Sequence, residues 1–146
     1  MENQLNSNPP KKIIKLDFKD TKYATGRRKK SIAKVWLKKG SGNIHVNGKN
    51  MPDYFRKQNL QTAIFRPLTL VKRASEFDVI CSVKGGGLTG QAGAIIHGLA
   101  RAIILYEPEL KPTLKKEKLT TRDSRAVERK KYGRRKARRS FQFSKR

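Results

Sequence analysis

From Ser31 to Lys39 apolar and polar side chains alternate. Ala33, Val35 and Leu37 fall on one side, and Ile32, Lys34, Trp36 and Lys38 on the other. A period of two predicts a strand with one buried face. Gly40-Ser41-Gly42-Asn43 reads as a turn, after which Asn43 to Asn47 alternates again with Ile44 and Val46 on one side. The two runs are expected to pair as a β-hairpin, with Asn47-Gly48 as the exit turn. Met51-Pro52-Asp53-Tyr54-Phe55 suits a short helical turn with proline at an early position. Asn59 is placed to cap a helix through Phe65 that ends before Pro67, because the residue ahead of a proline is pushed out of the α region. Leu68 to Ser75 shows no clear pattern. Glu76 to Val83, with Phe77, Val79, Ile80, Cys81 and Val83, reads as a buried strand.

Lys84-Gly85-Gly86-Gly87-Leu88-Thr89-Gly90 then opens a helix that runs to about Tyr106, where Pro108 stops it. Ala92, Ile95, Ile96, Leu99, Ile103 and Tyr106 recur at helical spacing and form its expected core stripe. Gly90, Ala94, His97, Gly98 and Arg101 lie on the other side, which lacks bulk and carries a cation. Glu109 to Leu119 reads as a short lysine-rich helix. The order ββ-α-β-α predicts an α/β (α+β) domain, a small sheet with helices packed on one face.

Charge changes this picture. The 146 residues hold 36 Lys and Arg against 11 Asp and Glu, a formal net charge of +25. Such self-repulsion makes sense when a polyanion neutralises it. Residues 111–146 carry 16 basic and 3 acidic residues, so about half the excess sits in the last quarter of the chain. Arg129 to Arg146 has ten basic residues and no acid. That stretch has too little apolar surface to offset chain entropy and is expected to order on a partner. The chain therefore divides into an N-terminal extension, 1–22, a globular domain, 23–109, and a basic C-terminal helix and extended tail, 110–146.

Other classes fit poorly. No run of 18 apolar residues is present, so no membrane span is expected. The N-terminus lacks the apolar core of a signal peptide and the Arg-rich, acid-poor character of a transit peptide. The chain is thus expected to act where it is made, and a single cysteine suits a reducing compartment. One cysteine and two histidines cannot build a zinc finger. The acids are scattered, with no spacing for acid–base work. His45 and His97 read as surface or packing residues, and Cys81 as an inert packing thiol. No enzyme activity, cofactor, metal or small-molecule substrate is expected.

Two segments remain as candidate chemistry within the domain. Gly85-x-Gly87-x-x-Gly90 follows a strand and opens a helix, which matches a dinucleotide fingerprint. The acid that should end a second parallel strand is missing, because Glu107 ends the same helix and no further βαβ unit follows. The loop can still approach an RNA phosphate, using backbone amides and the helix N-terminus. It can equally be a tight strand-to-helix turn. Gly26-Arg27-Arg28-Lys29-Lys30, ahead of the first strand, is expected to form a phosphate-contacting edge. In the tail, Tyr132, Phe141 and Phe143 interleave with Arg134, Arg135, Lys136, Arg138, Arg139, Lys145 and Arg146. Arginine forks grip phosphates and flat rings stack on unpaired bases. Fully extended, residues 132–146 span roughly 50 Å at ~3.3 Å per residue. A DNA-compacting nucleoid-type protein is the alternative; its tails are usually Lys/Ala/Pro repeats, whereas this one is arginine-rich, aromatic and non-repetitive.

Several separated motifs occur together and in order. They are Tyr23-x-Thr25-Gly26-Arg27-Arg28-Lys29, Val83-Lys84-Gly85-Gly86-Gly87, Gly90-Gln91-Ala92-Gly93-Ala94, Thr121-Arg122-Asp123-Ser124-Arg125, Glu128-Arg129-Lys130-Lys131 and Gln142-Phe143-Ser144-Lys145-Arg146. Over about residues 23–146 the chain resembles the family of the ninth protein of the small ribosomal subunit, in its bacterial or mitochondrial form. The resemblance implies a domain like the second domain of the fifth small-subunit protein. It also implies seating in the subunit head against the 3′ major domain of the rRNA, among other head proteins. Ribosomal residence in a mitochondrial matrix or a bacterial cytoplasm follows. The rRNA-binding residues it implies, with those read above, are Arg27, Arg28, Lys29, Lys30, Lys84, Gly85, Gly86, Gly87, Gln91, His97, Arg101, Arg122, Arg125, Arg129, Lys130, Lys131, Arg134, Arg135, Lys136, Arg138 and Arg139. Ser144, Lys145 and Arg146 would reach the P-site tRNA. Two features depart from the pattern. Ile96 stands where bacterial forms usually have arginine, and residues 1–22 exceed the usual start.

Overall fold

The computed structural model describes residues 20–145. Arg146 and all but the last three residues of the expected N-terminal extension lie outside that range. Five strands make one sheet in the order β1-β2-β5-β3-β4. They are β1 (Lys22–Arg28), β2 (Ser31–Lys39), β3 (Ile44–Val46), β4 (Lys49–Asn50) and β5 (Phe77–Lys84). The helices are α1 (Met51–Tyr54), α2 (Gln58–Leu70), α3 (Leu88–Tyr106) and α4 (Lys111–Lys116), with a 3₁₀ turn at Pro108–Leu110. The α+β architecture with helices packed on one face matches the sequence pattern. So does the buried face of β2, with Ala33, Val35 and Leu37 inward; β5 buries Phe77, Val79, Cys81 and Val83, while Ile80, read with them as buried, is half-buried on the other side.

The hairpin does not match. β2 pairs antiparallel with β1 and with β5, whereas β3 runs parallel to β5 on its other side. The Gly40–Asn43 turn carries the chain around the start of β5 instead of back along β2. The Asp78 carboxylate accepts from the Ser41 and Asn43 backbone N–H groups, each at 2.9 Å, and a Cβ on Gly40 would overlap that carboxylate. Burial alone would raise the Asp78 pKa, but the N–H groups of Asn43, Ser41 and Gly42 hold it below its ordinary value. The true hairpin partner of β2 is β1, which the basic run at Gly26–Lys30 hid. Lys29, with φ of 52°, makes its turn. The exit turn at Asn47-Gly48 forms as expected: both residues have positive φ and join β3 to β4.

Helix α2 continues through Pro67 to Leu70, past the expected stop at Phe65. An interior proline removes one backbone bond and costs ~3 kcal/mol. Ile64, Pro67 and Leu68 are buried together, and that face of the helix offsets the loss.

Helix α3 shows the largest difference. Its side of small residues is not a solvent face: Gly90, Ala94 and Gly98 are buried. A Cβ on Gly26 in β1 would overlap the Ala94 carbonyl oxygen and the Gly98 nitrogen, so helix and strand lie backbone to backbone. Ile95, Leu99 and Ile103 are buried as well, and Ile96 is half-buried against the core rather than offered to a partner. Leu88–Tyr106 is long and apolar enough to cross a membrane by length and composition, with mean hydropathy 1.3, yet half of that stretch is buried inside the domain. Packing, rather than hydropathy, identifies it as the core helix. Cys81 is buried and burial pushes its thiol up to about 12, which fits inert packing.

Candidate nucleic-acid interface

β1 is an edge strand, and an edge with open N–H and C=O groups invites pairing. Here α3 closes it. Arg101 Nη1 donates to the Thr25 carbonyl at 2.7 Å. One turn earlier, His97 Nδ1 accepts from the Arg27 N–H at 3.2 Å while its Nε2 meets the Thr120 carbonyl at 3.2 Å. The neutral tautomer with hydrogen on Nε2 serves both bonds. Arg28 holds the next segment: Nη1 donates to the carbonyls of Asp123 (3.3 Å) and Arg125 (2.8 Å), and Nη2 pairs with the Asp123 carboxylate at 3.0 Å. The root of the tail, Thr120 to Arg125, is therefore strapped along the β1 edge. Bonds from the Arg125 side chain and backbone, with the Arg28 charge behind them, hold the Asp123 carboxyl well below the usual carboxylate range.

This geometry gives His97, Arg101 and Arg28 internal partners, which the sequence reading did not foresee. Gln91 has them too. Its Nε2 donates to the Gly85 carbonyl at 3.2 Å and its Oε1 accepts from the Tyr54 hydroxyl at 2.7 Å. Ser31 Oγ donates to the same Gly85 carbonyl at 3.0 Å, and Asn47 braces Val83 through two backbone bonds. The glycine loop is thus fixed from below. Its outer positions Gly86 and Gly87 are exposed beside Lys29 and Lys30, in a hollow that Ala126 and Val127 also line. Gly85 and Gly86 have φ of 75° and 59°, which favours glycine, and a Cβ there would overlap the Lys30 carbonyl oxygen and Ser31 Oγ. Gly87 opens α3 without a side-chain cap, and Gly86, Gly87 and Gly90 line this hollow.

Arg27, Lys29, Lys30 and Lys84 are exposed, as are Arg122, Arg125, Arg129, Lys130, Arg134, Arg135, Lys136, Arg138, Arg139, Ser144 and Lys145; Lys131 is half-buried. The tail has no helix or strand among its described residues after Lys116. It turns at Gly133, where the Arg135 N–H donates to the Arg139 carbonyl at 2.8 Å and Arg134 Nη1 donates to the Arg138 carbonyl at 2.8 Å. Glu128 meets Arg138 at 2.9 Å and Lys131 at 3.8 Å. The ~50 Å reach of an extended tail requires this turn to open.

Sequence reasoning missed Asp123 as a tail latch, because its partner Arg28 lies 95 residues away in the chain.

The family model for ribosomal protein S9/S16 matches residues 26–146, from the glycine of β1 through the whole tail. The chain belongs to the ribosomal protein S9/S16 family. It is a structural protein of the small ribosomal subunit and resides in the ribosome, in a family whose members are not typically enzymes. Membership accounts for the pairing of a small closed domain with a cationic tail: the match covers both as one unit.

The His97 bridge predicts a pH response. Burial first, and then the Arg101 and Arg122 charges, lower its pKa against the opposing pull of the Thr120 carbonyl. The folded state therefore favours neutral imidazole. The stability it contributes is complete above the ordinary value of ~6.5 and is lost as pH falls toward the lower folded value. The urea midpoint should drop between pH 7.5 and 5.5, and His97→Gln, whose amide can make both bonds, should remove that part of the drop. An equal drop in the variant would show that the bridge does not titrate.

Proposed function

We propose that this S9/S16 protein binds small-subunit rRNA in the head, against the 3′ major domain. Its tail would run along the RNA to bring Ser144, Lys145 and Arg146 to the P-site tRNA. The single observation that carries the reading is that the exposed Lys29–Lys30 turn and Gly86–Gly87 lie beside the tail root strapped by Arg28, from which the exposed arginines of the tail continue. Exposed Arg and Lys neutralise phosphates and position a protein along a nucleic-acid backbone. In this reading residues 23–109 seat the protein, 110–146 thread RNA, and 1–22 extend it. Neighbouring head proteins complete the setting, in a bacterial or a mitochondrial ribosome. Arg28, Gln91, His97 and Arg101 then act by holding the tail root and the loop in place.

The test uses subunits assembled with the full chain or with a chain lacking Ser144 to Arg146. Both should co-sediment with the small subunit through moderate salt, and the truncated form should release P-site tRNA faster. Equal tRNA off-rates would remove the tip assignment. A full chain that stays at the top of the gradient, or sediments with DNA, would remove the rRNA reading itself.

A further inference from the structure

Helix α2 is short of charge for its place. The chain is 32% charged, yet Gln58–Leu70 holds one charged residue in 13, Arg66. Helix α3 is as poor in charge because it is the core helix. By contrast, α2 buries Ile64, Pro67 and Leu68 and turns its other side away from the core. Asn59, Thr62, Ala63, Arg66, Thr69 and Leu70 follow helical spacing along that side and line a hollow of about 570 Å³. Asn59, Thr62, Arg66 and Thr69 are exposed, and Ala63 and Leu70 are half-buried. Most polar atoms of this stripe are satisfied within the protein. Thr62 Oγ1 donates to the Gln58 carbonyl and Thr69 Oγ1 to the Phe65 carbonyl, each at 3.1 Å. Arg66 Nη2 pairs with the Glu117 carboxylate, just past α4, at 2.7 Å. Cations stand at the ends of the stripe instead: Arg56 and Lys57 precede the helix, Lys72 follows it, and all three are exposed.

An RNA strand laid along α2 would set phosphates over this centre, where the one cation of the helix is already paired and both threonine hydroxyls are already bonded. A protein surface is the better match, since contacts between proteins are poor in charge at the centre and polar at the rim. The end cations select a partner with acids at matching positions. We propose that the outer face of α2 seats a neighbouring protein of the small subunit. That partner lays an uncharged segment along the helix, puts an apolar side chain into the Ala63–Leu70 hollow and sets acidic residues against Arg56, Lys57 and Lys72. The proposal deepens the reading above by giving a neighbouring protein its seat. It rests on the place of the chain in the subunit, and not on the tail or its tRNA contact.

The test uses small subunits assembled with the full chain carrying Thr62→p-benzoylphenylalanine, a change at an exposed position. Irradiation should give adducts to one small-subunit protein, and the attached peptide should be an apolar stretch flanked by Asp or Glu. Adducts to RNA, adducts to a basic peptide, or none at all would overturn the proposal and leave the rRNA reading intact. A chain that does not enter subunits would bring down the underlying reading together with the proposal. Thr62→Arg separates the two kinds of partner. Its far-UV spectrum and urea midpoint should match the parent, because arginine is a good helix former at an exposed position. An added cation would strengthen a contact with RNA. Against a protein that meets this centre without charge, it should weaken retention of the crosslinked neighbour in salt-washed subunits about tenfold, with this chain's own retention on rRNA unchanged. Retention of the neighbour equal to the parent's, or tighter, would overturn the proposal.

Discussion

Gly26→Ala should destabilise the domain by more than about 3 kcal/mol and lower the urea midpoint by more than ~1 M, with most of the chain recovered as aggregate on expression. The added methyl would overlap the Ala94 carbonyl oxygen and the Gly98 nitrogen, which are backbone atoms that cannot rotate away. Moving α3 outward is no remedy. Gly98 in turn sits against Val35, where a Cβ would come within 2.7 Å of Cγ2, and the opposite side of α3 is filled by buried Ile95, Leu99 and Ile103. A domain of this size has only ~5–15 kcal/mol in hand, and small domains lie toward the lower end. The contrast is Gly48, in the β3–β4 turn, where no atom lies near the Cβ position. Gly48→Ala should cost only ~1 kcal/mol, from its positive φ. Equal urea midpoints for the two variants would mean that α3 does not lie on the β1 backbone.

That contact also marks where the sequence stopped being readable. Period-two patterning located β2 and β3 and their inward faces, and an apolar run located β5 without its face, because in β2 and β3 each residue has one neighbour relation that decides its side. It could not say which strands pair. The choice between β1 and β3 as partner for β2 depends on Asp78, which lies 35 residues or more from the turn amides it binds. Strand β1 itself reads as a basic run because its outward residues are Tyr23, Thr25 and Arg27 and its inward ones are as small as Ala24 and Gly26. Small inward residues look like missing hydrophobicity when they are in fact room for a helix, and Gly90, Ala94 and Gly98 misled for the same reason. The cationic residues of the candidate interface were legible from charge alone. The internal roles of Arg28, Gln91, His97 and Arg101 were not, since each bonds to a backbone atom brought near only by the fold.

Replacing Arg134, Arg135, Arg138 and Arg139 together with alanine should leave the domain's stability unchanged and weaken association with small-subunit rRNA by roughly 100-fold or more at 0.1 M salt. All four are exposed, and the bonds they make are to other tail atoms or to Glu128, so no core contact is lost. Their free energy comes from counterions released by RNA, at about 0.7–0.9 of log–log salt slope per phosphate met. Four lost contacts should flatten that slope by about 3. Arg28→Ala supplies the complementary measurement. It removes one partly buried cation but also releases the tail root from Asp123 and Arg125. Its slope should fall by about 1 at most, while affinity falls further than one charge accounts for, because a loose root must be ordered on binding. A four-arginine variant with the parent slope would mean that the turn around Gly133 stays closed on the ribosome and that its arginines face solvent there. The tail beyond it would then not thread RNA, and the reach needed to bring Ser144 and Lys145 to tRNA would be gone.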